Sequence, residues 1–117
     1  MTGLNLRCFA LLFAVGLLHA AEYNPSEAAA HLNEFATIVG TVAQASERKG
    51  HVFLNFERPY PQHTFTAFVP AKSVTAVGGV PFLTSLQGKT VAITGKIIDY
   101  KGQREIVVTS KEQIAVR

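Results

Sequence analysis

The sequence predicts an all-β fold, a five-stranded Greek-key barrel with one short helix between its third and fourth strands. Three observations carry that expectation. Apolar and polar residues alternate with a period of two in five separate segments, as half-buried strands require. The first and fourth segments each set a glycine between two aliphatic residues, Ile38-Val39-Gly40-Thr41-Val42 and Ile93-Thr94-Gly95-Lys96-Ile97. A glycine inside a strong strand marks a bulge or a tight bend, the device that turns the corner of a small barrel. Between Pro70 and Lys89 the alternation stops and helical spacing replaces it. The 117 residues suffice for one domain with one modest core. With 48% hydrophobic and 16% charged residues, a disordered polyelectrolyte is excluded.

Met1 to Ala20 has the pattern of a secretory signal. Arg7 is its one charge, Cys8 to Leu18 is an apolar run of 11 residues, and the small residues Ala20 and Ala21 follow. Cleavage is expected after Ala20, leaving an exported protein, periplasmic or extracellular. The alternative is an uncleaved anchor, since Leu18 is large for its place before the cut. The run falls short of the roughly 20 apolar residues of a spanning helix, so no membrane span is expected once the signal is gone. Residues 21–34 read as an N-terminal arm or short helix, Ser26 capping Glu27 to Leu32. Residues 35–117 form the β domain. Its first strand runs from Phe35 to near Ala45. A polar turn closing on Lys49-Gly50 leads to the second strand, His51 to Phe56. Pro59 and Pro61 cannot donate to a ladder and mark a loop, after which Thr64 to Val69 is the third strand. Pro81 to Leu86 places Phe82, Leu83 and Leu86 at helical spacing, with proline in the first turn and Gly88 past the end. Thr90 to Tyr100 is the fourth strand, Lys101-Gly102 a turn, and Arg104 to Ser110 the last.

Loss of residues 1–20 removes Arg7 from the 11 basic side chains, leaving 10 against 8 acidic, a balance of +2. That weak positive charge permits a phosphate-bearing partner without demanding one. Cys8 is the single cysteine and departs with the signal. The exported domain therefore has no disulfide, thiolate metal site or cysteine nucleophile, and its stability comes from burial.

Strand order β-β-β-α-β-β is the topology of the OB-fold, a partly open barrel that binds oligonucleotides or oligosaccharides across its second and third strands. The residues carry a closer likeness. Thr37 to Val42, Arg48 to Phe56, Thr94 to Ile97 and Tyr100 to Val108 resemble the OB-fold domain of the tRNA-anticodon-binding type over roughly residues 35–115. Members of that family include anticodon-binding domains, single-strand binders and helicase wedge domains. In the anticodon binders a phenylalanine on the second strand stacks on a base, and the resemblance assigns that place to Phe53. Asn55 and Phe56-Glu57 depart from the family pattern, which has an acidic residue and then Leu-Arg there.

Alternation gives Val52, Leu54 and Phe56 to the core and His51, Phe53 and Asn55 to an outer groove, where a ring face, an imidazole and an amide suit stacking and edge hydrogen bonds with single-stranded nucleic acid. On the third strand Phe65, Ala67 and Val69 fall inward and Phe68 outward, so Phe53 and Phe68 form a platform. Arg48 and Lys49 on the first hairpin and Lys101 and Arg104 on the last are the candidate phosphate contacts; solvated hairpin tips are the plain alternative. His31, His51 and His63 lie 20 and 12 residues apart, without metal-ligand spacing, so no metal or other cofactor is implied. Asp99 and Glu105 straddle the last turn without a third acidic partner, and neither a nucleophile triad nor a phosphate-cradling loop is present. The expectation is a non-enzymatic exported module binding single-stranded DNA or RNA with weak sequence selectivity. The alternative is a periplasmic or surface adaptor that takes a protein or glycan in the same groove.

Overall fold

The computed structural model describes residues 20–117. The export signal expected over residues 1–20 lies outside them except for Ala20. Eight strands follow in order: β1 (Glu22–Tyr23), β2 (Phe35–Arg48), β3 (His51–Phe56), β4 (Phe65–Val69), β5 (Thr90–Lys96), β6 (Ile98–Tyr100), β7 (Gln103–Val107) and β8 (Ile114–Val116). They form one sheet in the order β6-β7-β4-β3-β2-β5-β8, with β1 added in parallel to β2. All-β architecture is thus as the alternation predicted, with eight strands where five were expected. Among the described residues no helix is long and apolar enough to cross a membrane.

The long strand β2 organises the sheet. Its first half pairs antiparallel with β5, from Phe35 opposite Lys96 to Thr41 opposite Thr90. A bulge between Val42 and Gln44 adds one residue, and the second half pairs with β3, Arg48 opposite His51. The extra residue reverses parity. Before the bulge Ala36, Ile38 and Val42 point into the core; beyond it Gln44, Ser46 and Arg48 line the outer groove. A strand ended near Ala45, as the sequence suggested, contains this change but stops three residues short of the end of β2 at Arg48.

The core is a single cluster in which Ile38, Leu54, Phe56, Phe65, Ile93 and Ile106 are fully buried. Phe56 and Phe65 meet edge to face with ring centroids 5.4 Å apart, the arrangement the ring quadrupoles favour. The strand glycines serve close approach more than bending. A Cβ on Gly95 would stand 2.6 Å from Cγ2 of Ile106. One on Gly40 would stand 2.4 Å from Cγ of Pro25, so this glycine admits the N-terminal helix to the sheet.

That helix is a 3-10 segment, Pro25–His31, with Asn24 as its cap. Ser26 is therefore inside the helix rather than at its start. The Asn24 side chain accepts from the Glu27 amide at 3.0 Å while Glu27 accepts from the Asn24 amide at 2.8 Å, a capping box that satisfies two otherwise free donors. The single helix expected at Pro81 to Leu86 is instead a series: a 3-10 turn Ala71–Ser73 and short α-helices Val74–Val77 and Val80–Thr84. The fourth predicted strand divides at Ile97 into β5 and β6, and the last begins one residue early and ends at Val107. Sequence alternation did not find β1 or β8, which are two and three residues long. Arg117 pairs with Glu22 at 2.7 Å, joining the last residue to β1.

Candidate functional site

Two lateral rows of side chains cross the outer face of β2, β3, β4 and β7. Register places Ser46, Phe53, Phe68 and Val107 side by side in one row, and Gln44, Asn55, Thr66 and Glu105 in the next. The rows floor a groove of about 600 Å³. Arg48 and His51 stand at the hairpin end, Tyr60 and His63 on the loop between β3 and β4, and Tyr100 and Gln103 on the β6-β7 hairpin.

In the first row Phe53 and Phe68 are half-buried, with centroids 5.1 Å apart and planes inclined by 50°. His51 continues the cluster 5.3 Å from Phe68. Its Nδ1 accepts from the Ala71 amide at 2.9 Å, which leaves Nε2 to carry the proton. The expected platform is therefore assembled, and a third ring adjoins it.

The second row is a chain of hydrogen bonds. Thr66 Oγ1 donates to Asn55 Oδ1 at 2.9 Å, and Asn55 Nδ2 donates to Gln44 Oε1 at 3.2 Å. Gln44 Oε1 also accepts from the Tyr60 amide at 2.9 Å, which ties the loop to the floor. Asn55, read from the sequence as an open amide, is 4% exposed and spends both of its polar ends within the row. Glu105 closes the row at 7% exposure. Burial raises its carboxyl above the usual carboxylate range because desolvation disfavours the charged form. Above the floor Tyr60 stacks on His63, centroids 5.6 Å apart. Burial lowers the His63 imidazole below its ordinary value, and its Nδ1 has no hydrogen-bond partner among the described residues.

Of the eight residues singled out from the sequence, Arg48, His51, Phe53, Asn55 and Phe68 line this groove and Lys49, Lys101 and Arg104 do not. The lysines occupy hairpin tips. Lys49-Gly50 and Lys101-Gly102 have φ values of 53° and 87°, and 52° and 85°, the left-handed pair that two-residue hairpins require. Lys101 Nζ lies 5.3 Å above the Tyr100 ring, beside the groove. Arg104 alternates to the face of β7 opposite Glu105 and donates to the Gly102 carbonyl at 2.6 Å. Residues that sequence reasoning missed are Gln44 and Ser46, hidden by the bulge, Gln103 and Glu105 on the outer face of β7, and Tyr60 and His63, carried on a loop without periodicity, whereas alternation sets Thr66 outward without giving it a role. Among the described residues no three histidine, cysteine, aspartate or glutamate side chains are grouped to hold a metal ion.

No protein-family model and no curated relative matches the chain. Its backbone is similar to that of solved structures. A protein described as an aspartyl-tRNA synthetase from Leishmania major Friedlin matches with a TM-score of 0.56 and 10% identity over 83% of this chain and 20% of that one. Aspartyl tRNA synthetase from Entamoeba histolytica matches with 0.54 and 22% identity over 83% and 21%. Asparaginyl-tRNA synthetase from Pyrococcus horikoshii matches with 0.50 and 16% identity over 74% and 20%. This chain thus spans about a fifth of the length of those synthetases. Likeness at such identities establishes fold, and the fold is the OB-fold that the residue resemblance implied.

Proposed function

We propose that this chain is an exported, non-enzymatic OB-fold module that binds single-stranded nucleic acid with weak sequence selectivity. The barrel is read as five-stranded and Greek-key, with β5 and β6 as one strand bent at Ile97. Two pairings support this: β5 is bonded to β2 and β6 to β7, so a single bent strand joins the two ends of the ladder. Export rests on the composition of residues 1–20.

One observation carries the ligand: Phe53 and Phe68, half-exposed and 5.1 Å apart, form the floor of an open groove with Arg48 and His51 at its end. Every base has a ring face, so aromatic floors hold strands with little regard to sequence. Arg48 supplies a phosphate contact at the groove and Lys101 a second beside it, whereas Lys49 and Arg104 serve the approach of a polyanion from outside the lining. The solved neighbours are synthetases of tRNA, and a fold shared with proteins that handle tRNA agrees with this ligand class.

The test is a fluorescence-anisotropy titration of labelled single-stranded DNA and RNA of several sequences, at low and at rising salt. Saturable binding that weakens with salt and changes little with sequence is expected. A flat titration at low salt refutes the proposal. Fractionation of cells producing the full chain, with the domain found in the cytosol, refutes export.

A further inference from the structure

We infer that the groove is gated by protons: ionised Glu105 repels a phosphate-bearing strand at neutral pH, and acid opens the site by neutralising Glu105 and charging His63. The inference rests on the nucleic-acid reading of the same groove and adds regulation to it. Its basis is geometric. In the row Gln44-Asn55-Thr66-Glu105 the first three members are joined by hydrogen bonds. Glu105 takes part in none and forms no ion pair among the described residues, although it lies on the floor between the registered Thr66 and Ile98. A carboxylate on the groove floor with no cation paired to it repels a phosphate brought beside it. His63 mirrors it on the wall, with a buried Nδ1 that lacks a partner among the described residues.

The other groups facing Glu105 are few. Strand β2 contributes Arg48, β3 His51, the loop Tyr60 and His63, and β6 Tyr100, while β4 brings Thr66 and Phe68, which do not titrate. Lys101 lies over Tyr100 at the rim. Arg104 faces away, and Asp99 is engaged with the Gly102 amide. At neutral pH the lining therefore carries Arg48 positive and Glu105 negative, a sum of zero. Counting the change at Glu105 and His63 alone, protonation of both takes the lining from zero to two positive charges, Arg48 and His63. Desolvation raises the Glu105 carboxyl and lowers the His63 imidazole, which moves the two titrations toward each other. A polyanion prefers the protonated groove, and by linkage its binding must draw protons from solution.

The test uses labelled oligothymidylate, whose base has no titration in this range, at constant ionic strength. Affinity is expected to rise about tenfold between about pH 7.5 and about pH 5.5, the scale of one or two charges moved close to a phosphate. Glu105→Gln is nearly isosteric. It should bind more tightly than the parent at neutral pH and reduce the pH dependence to about threefold or less, the share left to the imidazoles of the lining. Titration calorimetry of the parent protein in two buffers of different ionisation heat, repeated at several pH values, should show net proton uptake on binding, a readout that needs no variant. Affinity independent of pH, absence of proton uptake, or an unchanged pH dependence in Glu105→Gln overturns the gate and leaves the nucleic-acid reading standing. Failure to bind the oligonucleotide at either pH overturns that reading, and the gate falls with it.

Discussion

Replacing Phe53 by alanine removes one of the two rings on which a base can stack while leaving the core untouched. Phe53 is half-buried on the groove face, and its chain neighbours Val52 and Leu54 are the fully buried ones. The loss has two parts. A base stacked on an aromatic side chain is worth about 1 to 3 kcal/mol, so affinity should fall by roughly 5- to 150-fold. The tilted contact with Phe68 at 5.1 Å is also lost, which lowers stability by about 0.5 to 1.5 kcal/mol. Anisotropy titrations against oligonucleotides of different sequence, with thermal melts of each protein, separate the two parts. The loss should be similar for every sequence, since stacking reads no base edge, and Phe53→Tyr should retain most of the affinity. Because the rings touch, Phe53→Ala and Phe68→Ala together should cost less than the sum of the two alone. A folded Phe53→Ala protein with unchanged affinity refutes the stacking argument.

Arg48→Ala should weaken binding of all sequences alike and reduce the slope of log affinity against log salt by about one, the mark of one lost phosphate contact; an unchanged slope shows that Arg48 does not touch the strand. Gly95→Ala places a Cβ 2.6 Å from Ile106 Cγ2 and 3.1 Å from Gln113 Nε2. Denaturant unfolding should show a loss of about 1 to 3 kcal/mol, and parental stability would disprove the close approach. Glu105→Gln should melt higher than the parent at pH 7. Burial raises the folded-state pKa above 4.5, so the stability of the neutral acid is complete below 4.5 and is lost as pH rises through the raised value. The difference in Tm should vanish in acid, and a gap that does not change with pH refutes the assignment.

The alternation in Val52, Leu54, Phe56, Phe65, Ala67 and Val69 located the core correctly, because side chains that must be dry on one face of a strand leave a period of two. The same reasoning put Phe53 and Phe68 in one outward row, as the register confirms. What escaped it is equally physical. Strands β1 and β8 contain too few residues to show a period, and they form because Glu22, Tyr23 and Ile114 to Val116 meet partners distant in sequence. The Asn24 cap was hidden behind Ser26, a residue of the same capping chemistry two places on, and the structure decides for Asn24 through its reciprocal bonds with Glu27 and the proline that follows it.

The bulge between Val42 and Gln44 shows why the site was less legible than the fold. A strict alternation carried through β2 sends Gln44, Ser46 and Arg48 toward the core, where a glutamine, a serine and an arginine have no business, so the pattern invites the reader to end the strand. One inserted residue resolves the conflict by turning all three outward. The turn has a consequence for the floor: Gln44 becomes the terminal acceptor for Asn55 and for the Tyr60 amide. The amide of Asn55 is thereby held in place by one bond at each end, and the Tyr60 amide ties the loop that carries Tyr60 and His63 to the floor. Glu105, at the far end of the same row, receives no such partner. Beside Arg48 and His51 at the hairpin end, the groups of this face left without a partner are the Glu105 carboxyl and His63 Nδ1, which is why its response to protons, more than its count of lysines, should decide how it meets a charged strand.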